Sequence, residues 1–333
     1  MSSLDGAKRD YWQAIDGARQ LGAGGAARLS EQLHAPDCAF HGPHPVDDLS
    51  GGAAVLAQFW SPLLASVPDL ERRTDMLLAG AFNGATWMAS TGYFVGLFER
   101  DWLGIPATRK PVWIRYGWFD RLDDAGRVVQ SHVILDLPAV MMQAGVWPLS
   151  PPLGADIIVP GPASRDGVDL GGIDPAASEA SRALVERMIA GLMQYDGQSL
   201  ASMGMRRFWT DSFHWYGPAP IGSMRGHADY ERGHQRPFLR AFPDRVGGDH
   251  KCRIGDGAYV ASTGWPSVRA THLGGGWLGT APTGRRVEMR VMDFWRREGE
   301  MLVENWVFID LPHLLLQMDL DVFARMAERL AAK

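Results

Sequence analysis

The chain says nearly the same thing twice. "FHGPHPV" from Phe40 answers "FHWYGPAP" from Phe213, and "FWSPLLASVPD" from Phe59 answers "HQRPFLRAFPD" from His234. "STGYFVGLFERDWLGIPATRKPV" from Ser90 answers "STGWPSVRATHLGGGWLGTAPTGRRV" from Ser262. The spacing holds: Phe40 to Phe213 is 173, Pro68 to Pro243 is 175, Gly92 to Gly264 is 172 and Asp136 to Asp310 is 174. Four anchors in step indicate a duplicated domain. Such a chain has to fold the same way twice, which excludes most architectures open to a sequence of 333 residues.

Between the copies, "VWPLSPPLGADIIVPGPASRDGVDLGGIDP" is dense in Pro and Gly. That composition favours extended and turn conformations and suits a linker. The expected division is a first domain over 1–150, a linker over 151–172 and a second domain over 173–333. Each copy opens with helices. "DPAASEASRALVERMIAGLMQYD" carries apolar residues at helical spacing behind Asp174 as N-cap, and "SGGAAVLAQFWSPLLASV" is its shorter counterpart in the first copy. Strands follow in "ATWMASTGYFVGLF", "KPVWIRYGWFDRL" and "RVVQSHVILDL", with hairpin turns at "DDAG" and "REGE". Helices followed by a run of strands predict an α+β fold, a curved antiparallel sheet wrapped over helices.

Composition narrows the function. The chain is 46% hydrophobic and 21% charged, as in a soluble globular protein, and its net charge of −5 gives no basic patch for nucleic acid or an anionic membrane. No apolar run approaches the roughly 20 residues that span a bilayer. The N-terminal stretch reads as an amphipathic helix without a signal peptide's apolar core. Cys38 and Cys252 have no partner motif, so two free thiols in a cytoplasmic protein are expected. The 13 tryptophans suit a pocket for an apolar ligand.

The last strand, "VENWVFIDL", alternates Glu304, Trp306, Phe308 and Asp310 on one face with Val303, Asn305, Val307 and Ile309 on the other. The strand before it places Val287, Met289, Val291, Asp293 and Trp295 on a shared face. The first copy keeps the terminal aspartate as Asp136, has His132 for Trp306 and Trp118 at the register of Asp293. A carboxylate among aromatic walls has its pKa pushed up by desolvation and becomes useful as a general acid or base. Asp310 could equally cap the helix that follows it, and Asp293 could pair with Arg290 or Arg296. His41, His44 and His132 with Asp136 lack metal-site spacing, and no metal is expected.

These motifs, "RPFLRAFPD", "ATHLGGGWLGTAPTGRRVEMRVMDFWR" and "EGEMLVENWVFIDLPHLLLQM", resemble the SnoaL-like polyketide cyclase family. The second copy follows the family pattern over nearly its whole length and the first more loosely. The resemblance implies two NTF2-like, cone-shaped α+β barrels in tandem. It implies a cofactor-independent general acid/base enzyme acting on an apolar or aromatic carbonyl-bearing small molecule, by intramolecular aldol closure or isomerisation. In that reading Asp310, with Asp136 in the first copy, is the catalytic acid/base, and His272 and Asp293 match further family positions. Trp306, Phe308, Trp277, Met289 and His214 would wall the substrate site, with Trp118, His132 and His41 in the first copy. The first copy lacks the His272 and Asp293 equivalents, so the second is the better candidate for catalysis. The copies are expected to pair as an internal pseudo-dimer, with further homo-oligomers an option. A non-catalytic binding module and an epoxide or ester hydrolase are alternatives on the same fold.

Overall fold

The computed structural model describes residues 4–332. The chain packs as two compact units. One comprises the residues up to Pro148, Gly161–Ile173 and those from Val322 on; the other comprises Leu149–Pro160 and Asp174–Asp321. The Pro/Gly-rich stretch is thus shared out, its first part packing with the second copy and the rest with the first. Among the described residues no helix is long and apolar enough to cross a membrane.

Each unit is α+β with one sheet. The first contains β1 (His34–His41), β2 (Asp48–Ser50), β3 (Glu71–Phe82), β4 (Ala85–Leu97), β5 (Pro111–Leu122) and β6 (Val128–Leu135), in the order β2-β1-β6-β5-β4-β3. The second contains β7 (Trp209–Tyr216), β8 (Ser223–Arg225), β9 (Val246–Gly247), β10 (His250–Asp256), β11 (Tyr259–Thr271), β12 (Arg286–Glu298) and β13 (Met301–Ile309). Its main path runs β10-β11-β12-β13-β7-β8, with β9 paired to β11. Both sheets are open and mixed rather than wholly antiparallel. β1 runs parallel to β6, and β7 runs parallel to β13. The expected helix after Asp174 spans Pro175–Leu192, and the Asp174 side chain accepts from Ala176 N and Ala177 N as its cap.

The units match in detail. Each has a helix that lies before its long hairpins, and in each the middle turn is π-helical: Leu56–Trp60 in one, Glu231–Gln235 in the other. A π-turn inserts one residue and re-aims the side chains that follow. At the last two places of this turn the first unit has Phe59 and Trp60, and the second has His234 and Gln235. The sheets show the same exchange. Ser90 faces Trp118 across β4 and β5, and Ser262 faces Asp293 across β11 and β12.

In the first unit these three positions fill the core. The Trp118 ring stacks on Trp60 at 5.8 Å and meets Phe59 edge-on at 5.8 Å and Phe40 at 5.9 Å. Its indole N–H donates to Asp120, which also accepts from Tyr11 and Ser131. Every partner of this buried carboxylate lies within one unit. Truncating the central ring leaves a void that rigid neighbours cannot close. Trp118→Ala should cost about 3–5 kcal/mol, read as a lowered midpoint in chemical denaturation.

Candidate functional site

In the second unit the same place is hollow. A cavity of about 280 Å³ lies between the Pro175–Leu192 helix, the π-turn and one face of the sheet. β12 supplies Met289, Val291, Asp293 and Trp295, and β13 supplies Asn305, Val307 and Ile309. Trp215, Tyr230, Phe238 and the methionines Met188 and Met205 complete much of the apolar wall.

The polar groups in this wall are few. Asp293 keeps some accessible surface, lines the cavity and accepts one hydrogen bond, from Asn305 Nδ2 at 3.2 Å. Burial pushes its pKa up to about 7, against smaller opposing effects from Asn305 and Arg253. Tyr230 is buried; desolvation and then the Asp293 charge push its phenol above the usual range, so it stays protonated. His234 stacks on Trp215 at 4.3 Å and on Phe238 at 5.4 Å. Desolvation pushes its pKa down to about 3, which keeps the imidazole neutral. Its Nδ1 and the Gln235 Nε2 are buried without a hydrogen-bond partner in the protein. Buried polar atoms are rarely left so, and two of them on residues of this wall leave hydrogen bonds for a ligand to complete.

The residues expected from sequence fall into two groups. Asp293 and Met289 line the cavity. Asp310 does not. It is fully buried, accepts from His313 N at 3.3 Å as the cap of the Leu311–Gln317 helix, and pairs with Arg290 at 3.2 Å. Arg290 in turn lies 4.7 Å over the Trp265 ring. Asp136 repeats the arrangement, capping Leu137–Gln143 through Ala139 N. The reason lies in the strand register. Asp293 sits opposite Val307, so its face of the sheet is that of Asn305, Val307 and Ile309. Trp306, Phe308 and Asp310 point to the other face. Trp306 donates to Pro160 O at 2.8 Å and Phe308 packs on Phe294. His214 stacks on Tyr216, outside the cavity wall.

His272 is fully buried against Phe242, with Nδ1 3.2 Å from Thr283 Oγ1, and burial pushes its pKa down. Trp277 packs edge-on to Phe242 and lines a separate recess of about 160 Å³. In the first unit His41 bonds Asp48 and stacks on His132 at 4.6 Å, and His44 bonds Asp47. Among the described residues no three His, Cys, Asp or Glu side chains converge as a metal site would require. Trp118 is the core filler described above. The residues that sequence reading passed over are Tyr230, His234, Gln235, Asn305 and Arg245. A signal for two of them was present: "HQRPF" stands where the first copy has "FWSPL".

The profile of the family described as SnoaL-like polyketide cyclase matches residues 16–144 and again 193–318. Similar solved structures include AclR from Streptomyces galilaeus, 26% identical with a TM-score of 0.34, covering 43% of this chain and 97% of that one. IdmH from Streptomyces antibioticus is 21% identical with a TM-score of 0.34, over 41% of this chain and 98% of its own. An NTF2-like protein from Burkholderia xenovorans LB400 is 14% identical with a TM-score of 0.34, over 44% and 99%. No curated protein matches the chain.

The Asp310–Arg290 pair and the cavity can be separated by mutation. Asp310→Asn removes the buried ion pair with Arg290 and should cost roughly 3 kcal/mol in denaturation. The apparent pKa of Asp293, followed by carboxyl NMR, should not move in the same variant.

Proposed function

Because the chain belongs to the SnoaL-like polyketide cyclase family, we propose that its second unit is a cofactor-independent general acid/base enzyme whose acid/base is Asp293. One observation carries this: a carboxylate poised at about 7 in the wall of an apolar cavity. A base works best when its pKa lies near the working pH, because it is then both available and strong enough to take a proton.

The ligand is a flat, largely apolar molecule with a carbonyl. Asp293 removes a proton from the carbon beside that carbonyl. The electron pair moves onto the carbonyl oxygen, where the Tyr230 hydroxyl and the Gln235 amide are the available donors. In ring closure the enolate carbon attacks a second carbonyl of the same molecule and forms the new carbon–carbon bond. The resulting alkoxide takes the proton back from Asp293. In isomerisation the proton returns to a different carbon. Asn305 holds the carboxylate in place throughout. The first unit, with Trp118, Phe59 and Trp60 at the matching positions, serves as a packed partner domain without this chemistry.

The first step can be read without knowing the substrate. The protein should accelerate hydrogen–deuterium exchange at the activated carbon of 2-tetralone in heavy water. The rate should rise with pH through about 7, as the Asp293 base ionises. Asp293→Asn should lower it at least about 100-fold. Binding of 2-tetralone with no exchange at any pH would make this a binding protein.

The same group affects stability. Its folded pKa of about 7 lies above the ordinary carboxylate value of 3.8, so the folded state holds the proton more tightly. The Asp293 contribution to stability should therefore fall as pH rises from about 4 to about 7. His234, held neutral in the fold, contributes in the opposite direction over the same range, so the Asp293 effect is read as the difference between wild type and Asp293→Asn. Asp293→Asn escapes that loss, and its advantage should grow across this window to at most about 4 kcal/mol, then level off.

A further inference from the structure

The cavity wall contains one charge that the acid/base reaction leaves unused. Arg245 lines it and is half-buried. Met193 and Val246, 47% and 55% exposed, line the same cavity and mark where it meets solvent. Arg245 adjoins Val246 and donates from Nη2 to Leu192 O at 3.0 Å, so it stands at this mouth. Its guanidinium also lies 5.6 Å over the Tyr195 ring. Those contacts use one of five N–H donors. Among the described residues no carboxylate pairs with it, and burial already works against its charge. The Tyr230 phenol is influenced by Asp293 and by Arg245, while Asp293 has Asn305 and Arg253 as its own influences. Asp293, Tyr230 and Arg245 thus line one cavity, and Arg245 is not among the groups that act on Asp293.

A half-buried guanidinium without a counter-ion is costly unless something else supplies the negative charge. A planar fork of donors fits carboxylate and phosphate, and a singly charged carboxylate costs less to bring to a largely apolar cavity than a phosphate carrying more charge. We infer that the ligand of this cavity carries a carboxylate that binds Arg245 at the mouth while its carbonyl end reaches Asp293. This rests on the reading of the cavity as a ligand site and adds the ligand's charge to it. Arg245 is then a specificity residue: it selects an acid over the corresponding ester or ketone.

Two probes of equal shape separate these contributions. 2-Naphthoate and methyl 2-naphthoate differ in charge and little else, and calorimetry on the full chain gives both affinities. The wild type should bind the acid roughly ten-fold more tightly than the ester, the usual worth of a charge-assisted hydrogen bond. Arg245→Met should bring that ratio to about one by weakening the acid alone. Arg245→Lys should keep part of the preference, having the charge without the fork. A wild type that prefers the ester, or shows no preference, overturns the inference. So does an Arg245→Met protein that keeps the ratio while weakening both probes equally, the mark of a structural tie to Leu192. Failure of both probes to bind removes the ligand cavity and the carboxylate site together. An intact acid preference without deuterium exchange overturns the catalytic reading alone.

Discussion

The pairing of β12 with β13 sets almost everything that follows. Asp293 stands opposite Val307, and Trp295 opposite Asn305. Side chains alternate across a strand, so this register sends Asn305, Val307 and Ile309 to the cavity. It sends Trp306, Phe308 and Asp310 to the far face. A slip of one residue would exchange the two sets. The carboxylate at the end of the last strand would then sit in the pocket, and a tryptophan would fill it.

The two aspartates show how environment divides identical chemistry. Asp310 is fully buried yet has Arg290 beside it and a backbone N–H in front of it. An ion pair and a backbone hydrogen bond hold this side chain, and the group fixes a helix to a strand. Asp293 has an apolar wall and a single amide. Desolvation dominates there, and the carboxylate is left able to exchange a proton near neutral pH. The Asp136 cap in the first unit supports a structural role for the strand-end position, since it recurs where the position of Asp293 is held by Trp118.

Duplication gives one scaffold two interiors. The strands and the π-turn are kept, and three exchanges decide whether the space is filled. Phe59, Trp60 and Trp118 interlock by stacked and edge contacts. His234, Gln235 and Asp293 leave it open and place polar atoms on its wall. A filled aromatic core gains dispersion and burial energy that a cavity forgoes. The same scaffold thus carries a filled aromatic interior in one unit and an open, partly polar one in the other.

The sequence by itself determined the duplication, the α+β class, the helix capped by Asp174 and the alternation of each strand. These follow from repeat spacing and from periods of two and 3.6 residues, which are local properties of the chain. It also marked Asp293 and Met289 as sharing a strand face. It could not say which face of β13 that strand face would join, because pairing register depends on residues far apart in the chain. The structure alone brought Tyr230, His234, Gln235 and Arg245 together with Asp293. It assigned Asp310 to a cap because Arg290 and the His313 amide reach it first. A carboxylate's role depends on which groups desolvate or pair it, and those groups are assembled only by tertiary packing.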